Sequence, residues 1–265
     1  MNGERRIQRP ESRIQNPESR SQRSEVRQPL HGFQLNTENL KLETPYLRLA
    51  AFLPRSLVNG PGVRAVVWVQ GCARRCPGCF NPEFLPMDGG TLQAAEDVAG
   101  WILAAPGIEG VTFSGGEPFL QAAALACVAR RLRAEGMGVV VFTGMEWEEL
   151  RATRDPARRA LLSCTDSLVA GPYLRDHPAD HPILGSANQR LVHLSGRYRD
   201  EDFLSPSSAS RPSARKSEFR IAPDGTLSLT GFPGEDLRAA CRRPEARDRR
   251  SETKPVTNQP TDRIP

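Results

Sequence analysis

Short apolar runs alternate with apolar residues at helical spacing between residues 46 and 194. A short run predicts a buried strand, and apolar residues three and four apart predict one face of a helix. The predicted strands are Tyr46–Phe52, Arg64–Gln70, Val111–Ser114, Val139–Phe142, Ser167–Ala170 and Leu191–Leu194. The predicted helices are Leu92–Ala104, Leu120–Arg133, Trp147–Ala152 and Pro156–Ser163. Because strands that alternate with helices pair in parallel, the pattern predicts an α/β fold whose sheet is an open, partial barrel.

Both ends of the chain depart from this pattern. Residues 1–44 contain the related heptads RIQRPES, RIQNPES and RSQRSEV, and the sequence from Arg242 onward has the same polar, proline-containing character. Such segments bury too little apolar surface to offset the entropy lost on ordering. We therefore expect one folded domain, residues 45–241, between disordered tails at residues 1–44 and 242–265.

The charge of the chain is concentrated in these tails. Residues 1–45 carry 8 basic and 6 acidic side chains and residues 236–265 carry 8 and 5, which accounts for the whole net charge of +5. The folded part is therefore neutral, and a basic face for nucleic acid is not indicated. No apolar run approaches the roughly 20 residues that a membrane-spanning helix needs, so we expect no membrane association.

The run GCARRCPGCFNP, just past the second predicted strand, contains Cys72, Cys76 and Cys79. Three thiolates on one short loop can bind three irons of a cubane [4Fe–4S] cluster. The fourth iron then has no protein ligand, and an open coordination position is typical of a catalytic metal centre. The remaining cysteines, Cys127, Cys164 and Cys241, are isolated, and we expect them to pack as small apolar side chains.

Two other interpretations of the three cysteines fit less well. A structural zinc site requires a fourth ligand, but no histidine occurs between Cys79 and His177. A disulfide framework is disfavoured, because only six cysteines occur in 265 residues and no signal peptide precedes them. The composition predicts a reducing, cytoplasmic environment.

Three further loops follow predicted strands and are expected at the same edge of the sheet. They are Ser114–Pro118 (SGGEP), Thr143-Gly144 and Gly171–Tyr173. The adjacent Gly115 and Gly116 would let the backbone approach a ligand closely, and Glu117 offers a carboxylate to a ligand cation. A Gly-Gly turn alone usually marks only the end of a strand and has no functional role. Its position one crossover after the cysteine loop favours a ligand site.

These motifs resemble those of the radical S-adenosylmethionine superfamily, through CARRCPGCF followed by SGGEP. Five ordered motifs narrow the resemblance to the glycyl-radical-enzyme activating family, in particular the activating enzymes of anaerobic ribonucleotide reductase. They are VNGPGVR, CPGCFNP, VFTGMEWEEL, DSLVAGPY and GSANQRLVH. The activating enzymes of pyruvate formate-lyase share the first part of this pattern. The resemblance extends from about Tyr46 to His193.

The resemblance implies roles for particular residues. Cys72, Cys76 and Cys79 would bind the cluster, and Phe80 would lie near the adenine of S-adenosylmethionine. The methionyl end of this cofactor would lie against Gly115, Gly116 and Glu117, with Thr143 and Gly144 completing that pocket. Asn188, Gln189 and Arg190 match the last motif, and the resemblance gives them no role more specific than positioning of the cofactor or of a partner loop.

The resemblance also implies an activity. In this family the reduced cluster cleaves S-adenosylmethionine, and the resulting 5′-deoxyadenosyl radical takes a hydrogen atom from a glycine of a partner enzyme. The expected partners are therefore a glycyl radical enzyme and a flavodoxin- or ferredoxin-like electron donor.

The sequence after His193 departs from the shortest family members. A Ser/Arg-rich insertion at residues 195–217 precedes residues 218–232, EFRIAPDGTLSLTGF, which predict a β-hairpin with its turn at Asp224-Gly225. Two alternatives to the activase stay open. One is a radical enzyme that acts on a small molecule or a peptide, and the other is an iron–sulfur or zinc module without catalysis.

Overall fold

A computed structural model describes residues 45–204, 217–221 and 227–232 of the chain. The predicted tails at residues 1–44 and 242–265, most of the Ser/Arg-rich insertion and the Asp224-Gly225 turn lie outside the described residues. None of the helices within the described ranges is long and apolar enough to cross a bilayer.

The described residues form a mixed α/β fold around a mostly parallel sheet. The strands are β1 (Tyr46–Ser56), β2 (Arg64–Val69), β3 (Thr91–Ala94), β4 (Gly110–Gly115), β5 (Gly138–Thr143), β6 (Ser167–Ala170), β7 (Arg190–His193), β8 (Ser217–Ile221) and β9 (Leu227–Gly231). The helices are α1 (Ala95–Leu103), α2 (Ala122–Ala134), α3 (Trp147–Arg151), α4 (Pro156–Ser163) and α5 (Asp200–Phe203).

The seven-stranded sheet has the order β3-β1-β2-β4-β5-β6-β7. Strands β2, β4, β5 and β6 are parallel, whereas β1, β3 and β7 each pair antiparallel with their neighbours. The edge strands β3 and β7 do not pair with each other within the described residues, so this sheet is open. Strands β8 and β9 form a separate antiparallel pair.

Side chains alternate between the two faces of the parallel strands. One face packs under the helices in a single large apolar core that includes Val67, Phe113, Val141 and Leu168. The opposite face carries a smaller apolar cluster around Val140 and Val169 and, toward the carboxyl ends of the strands, a large cavity. The site therefore lies on the face opposite helices α1 to α4.

Two buried charged residues stabilise the sheet at the amino-terminal ends of its parallel strands, opposite the end that carries the cavity. The guanidinium of Arg64 is fully buried and donates to the carbonyls of Pro61, Val111 and Gly138, to Thr112 Oγ1 and to the Tyr198 hydroxyl. Burial lowers its pKa, and the contact with Tyr198 partly opposes that effect. This cation joins the starts of three neighbouring parallel strands.

Asp166, directly before β6, is the second such residue. Its carboxylate accepts hydrogen bonds from the Val139 N–H at 2.8 Å, from Arg133 at 2.6 Å and from the Ser195 hydroxyl at 2.6 Å. Burial by itself raises the pKa of Asp166, but these three hydrogen bonds and the charge of Arg133 outweigh it, and the net pKa is lowered. The carboxylate therefore stabilises the junction of β5 and β6 in its ionised form.

Candidate active site

The cysteine loop and the Gly115–Glu117 loop meet through their backbones. The Gly116 N–H donates to the Val69 carbonyl at 2.7 Å, and the Glu117 N–H donates to the Gly71 carbonyl at 2.9 Å. Gly71 immediately precedes Cys72. These two bonds continue the β2–β4 pairing past the ends of the strands, so they set the position of one loop relative to the other.

The two glycines of this junction, Gly115 and Gly116, allow the two loops to approach each other closely. A Cβ on Gly116 would lie 2.2 Å from the Gly71 carbonyl oxygen, and a Cβ on Gly115, where φ is +106°, would lie 2.5 Å from the backbone of Val69. The close approach that requires glycine is thus between the two protein loops. A side chain at Gly116 would be directed at the cysteine loop, not at a ligand in the cavity.

Glu117 is buried and held by three donors. Its Oε1 accepts from the Phe119 N–H at 3.0 Å and from Thr143 Oγ1 at 2.7 Å, and its Oε2 accepts from the Gly144 N–H at 2.9 Å. Burial raises the pKa of this carboxyl, and the hydrogen bonds and the charge of Arg74 lower it by less. A buried carboxylate whose pKa is raised is stabilised by an added cation, so this position suits a ligand ammonium.

Three cysteine side chains, all partly buried, line the same cavity of about 530 Å³. Burial raises the pKa of the Cys79 thiol, so a positive charge nearby, such as a metal ion, would favour its thiolate. In the part of the chain that the structure describes, no three His, Cys, Asp or Glu side chains are grouped as ligands of one metal ion. A cubane makes a different demand, because each thiolate binds a different iron.

The cavity brings together all nine residues that the sequence predicted for the site, namely Cys72, Cys76, Cys79, Phe80, Gly115, Gly116, Glu117, Thr143 and Gly144. Thr143 and Gly144 line it and also hold the Glu117 carboxylate. Cys127 and Cys164 pack with the apolar core under the helices and do not line the cavity. Cys241 lies outside the described residues.

The residues of the last motif organise a neighbouring loop. Gln189 donates to the Gly171 carbonyl at 2.9 Å and accepts from the Gly185 N–H at 2.8 Å, and Asn188 donates to the Pro172 carbonyl at 2.8 Å. Both side chains thus fix the loop that follows β6. Arg190 instead pairs with Glu148 at the surface.

Several residues of the cavity were not predicted from the sequence. Arg74, within the cysteine loop, lines the cavity, pairs with Glu149 at 3.1 Å and lies against Gly144. Phe232 contributes a further ring, and Glu218 and Arg220 contribute charge, whereas Tyr173 belongs to the Gly171–Tyr173 loop that was expected at this edge. The Cys-x-x-x-Cys spacing already placed Arg74 near the site, but the positions of the β8–β9 residues depend on tertiary packing.

Three thiols and a buried carboxylate gathered at the carboxyl ends of parallel strands define an α/β protein with a site for an iron–sulfur cluster and a cationic ligand. A family model described as a 4Fe-4S single cluster domain matches residues 58–192. The anaerobic ribonucleoside-triphosphate reductase-activating protein of Escherichia coli (strain K12) is 32% identical over 152 residues, which cover 54% of this chain and 96% of that protein.

Two other relatives agree with this similarity. The protein of the same name from Enterobacteria phage T4 is 28% identical over 145 residues, covering 52% of this chain and 88% of its own. The pyruvate formate-lyase-activating enzyme of Clostridium pasteurianum is 37% identical over 101 residues, covering 36% and 42%. The chain belongs to the family of anaerobic ribonucleoside-triphosphate reductase-activating proteins, within the 4Fe-4S single cluster domain family.

Proposed function

We propose that this protein is a radical S-adenosylmethionine activase that generates a glycyl radical on a partner enzyme, anaerobic ribonucleotide reductase. The observation that carries this proposal is the backbone junction of Gly71 and Gly116, which brings three cysteines and a buried carboxylate to one cavity. Family membership supports the same activity.

The residues present fit the two cofactors that the family uses. Cys72, Cys76 and Cys79 would hold three irons of a [4Fe–4S] cluster and leave the fourth open. The Glu117 carboxylate would bind the ammonium of S-adenosylmethionine, and Phe80 would contact its adenine. A cavity of about 530 Å³ is within the range of small-ligand sites, roughly 300–1,000 Å³.

When bound, the two cofactors supply one-electron reductive cleavage of the sulfonium. The protein supplies position and charge. The Gly71–Gly116 junction fixes the distance between the cysteine loop and Glu117, and the donors on Glu117 keep both carboxylate oxygens oriented. Arg74 balances the buried carboxylate before the cationic ligand arrives. Because the carboxyl ends of the strands are open, a loop of the partner could enter beside the cofactor.

We further propose the finer architecture and the partners that the sequence predicts. The open sheet would be the partial barrel of radical S-adenosylmethionine enzymes, with residues 217–232 as an added hairpin. Residues 45–241 would be the functional domain, so a protein lacking both tails should retain cleavage of S-adenosylmethionine. The electron donor would be a flavodoxin or ferredoxin.

The test is an anaerobic assay of the reconstituted, reduced protein with S-adenosylmethionine and anaerobic ribonucleotide reductase from the same organism. We expect 5′-deoxyadenosine to form and a glycyl radical doublet to appear in the electron paramagnetic resonance spectrum. The Cys76→Ala variant should give neither, and the Cys127→Ala variant should give both.

The outcomes separate the alternatives. Formation of 5′-deoxyadenosine without a radical on the reductase would favour an enzyme acting on a small molecule or a peptide. A protein that retains iron and sulfide but never cleaves S-adenosylmethionine would be a non-catalytic iron–sulfur module, and one that holds only zinc would contradict the cluster itself.

A further inference from the structure

Strands β8 and β9 lie beyond the residues that the family model matches, yet they form part of the cavity wall. The match ends at residue 192, and the strand pair begins at Ser217. The lining residues from this pair and its end are Glu218, Arg220, Leu229, Thr230, Gly231 and Phe232. A segment outside the family core therefore contacts the space in which the cofactor would bind.

Side-chain hydrogen bonds fasten this strand pair to the end of β1. The Glu218 carboxylate accepts from the Ser56 hydroxyl at 2.8 Å and from the Leu57 N–H at 3.3 Å. The Asn59 amide donates to the Thr230 hydroxyl at 3.0 Å. Contacts on both strands fix the pair against the sheet, and the residue after β9 consequently has a defined place.

Phe232, the residue after β9, completes a group of three aromatic rings beside Cys79, the third cysteine of the cysteine loop. The Phe80 ring lies 4.7 Å from the Tyr173 ring, tilted by 58°, and 5.5 Å from the Phe232 ring in an edge-on contact at 89°. Gly185 lies against two of these rings, since a Cβ there would be 3.2 Å from Tyr173 and 3.4 Å from Phe232. The three rings come from three separate loops and all line the cavity.

We propose that Phe232 is a positioning residue for the adenine of the cofactor, acting through the Phe80 ring. This inference rests on the proposed function. An edge-on neighbour restricts the rotation of Phe80 and excludes water from one side of its ring, which leaves a flat apolar surface suited to a planar heteroaromatic group. The β8–β9 pair is thus a fixed wall of the adenine subsite, whereas Glu117 serves the methionyl end.

The test compares ligands that occupy the two ends of the site. Calorimetric titration of the cluster-loaded holoprotein would use S-adenosylmethionine, 5′-deoxyadenosine and L-methionine. Loss of one aromatic contact should weaken S-adenosylmethionine and 5′-deoxyadenosine about tenfold in the Phe232→Ala variant and leave L-methionine unchanged. Phe232→Tyr, which retains the ring, should bind all three within about twofold of the wild-type protein.

Two further variants complete the design. Phe219→Ala removes an exposed ring from β8 that does not line the cavity, and it should bind each ligand as the wild type does. Phe232→Leu retains apolar volume without a ring, which guards against a fold defect in the alanine variant. We expect Phe232→Leu to weaken only the two adenine-containing ligands.

The results that overturn the inference are specific. Either equal affinity of Phe232→Leu and the wild type for S-adenosylmethionine, or an equal loss of L-methionine binding, would show that Phe232 has no adenine-specific role. Failure of the proposed function has a different signature, because the wild-type holoprotein itself would then bind no S-adenosylmethionine.

Discussion

Replacement of Gly116 by alanine should damage cluster assembly and cofactor binding together. The added Cβ would lie 2.2 Å from the Gly71 carbonyl oxygen and 2.7 Å from its carbon, and both atoms are backbone. No side-chain rotation can relieve such a contact. One loop must therefore move away from the other, and the moving segment is joined directly to Cys72.

The size of the effect follows from the geometry. Ordinary contact of a Cβ begins near 3.4 Å, so the loops must separate by roughly 1 Å. Overpacking of this kind costs about 1–3 kcal/mol, and strain in the two backbone hydrogen bonds at the junction adds about 1 kcal/mol. A total of about 2–4 kcal/mol corresponds to a fall in melting temperature of about 5–15 °C for a domain of this size.

The assay combines thermal unfolding of the apoprotein with iron and sulfide content after anaerobic reconstitution. Gly100→Ala is the matched control, because Gly100 lies within α1 and a Cβ there meets nothing within 4 Å. That variant should be more stable by about 0.5–1 kcal/mol, since alanine favours the helix. A Gly116→Ala protein with wild-type melting temperature and a full complement of iron would refute the coupling of the two loops.

Three further predictions concern charge and ligation. Cys76→Ala should lose nearly all iron and sulfide after reconstitution, whereas Cys127→Ala should retain about four irons per chain, as measured by metal analysis. Affinity for S-adenosylmethionine should weaken as pH falls through the raised pKa of Glu117, because the protonated carboxyl no longer attracts an ammonium. In calorimetric titrations the Glu117→Gln variant should bind weakly at every pH. If its affinity changed with pH as steeply as that of the wild type, the assignment of Glu117 would be contradicted. Asp166→Asn should lower the free energy of unfolding in urea by about 1.5–3 kcal/mol, because the neutral amide loses the charge-assisted hydrogen bond from Arg133. The pKa of Asp166 is lowered in the folded state, so this contribution is present above the ordinary value of 3.8 and lost as pH falls through the folded value; equal stability of variant and wild type at neutral pH would contradict it.

The parallel strands were predicted to within a residue or two, and the flanking strands less well. Buried parallel strands appear as continuous apolar runs, which is why β2, β4, β5 and β6 were found. Strand β3 was missed, because Thr91–Ala94 continues smoothly into the helical pattern of α1. The antiparallel direction of β7 was not predicted either, since periodicity carries no information about strand direction.

The order of strands and loops along the chain was enough to predict which loops lie at the edge of the sheet that carries the cavity. Cys72 and Glu117 were expected at one edge because each follows a parallel strand, and they do line one cavity. The exact contacts were beyond the sequence. That Thr143 would hold a carboxylate, or that Phe232 would reach Phe80 from 152 positions further along the chain, depends on how loops pack after the sheet has formed.

The junction at Gly71 and Gly116 explains how a short cysteine loop can be held at a defined position relative to Glu117. The cysteine side chains have rotational freedom, but the hydrogen bonds from the Gly116 and Glu117 N–H groups hold the base of the cysteine loop against the residues that follow β4. The distance between the cysteine loop and Glu117 is therefore set by the β2–β4 register, and the apolar core on the other face of the sheet maintains that register. Any substitution that shifts this register by one residue would separate the cysteine loop from Glu117, even where all three cysteines are retained.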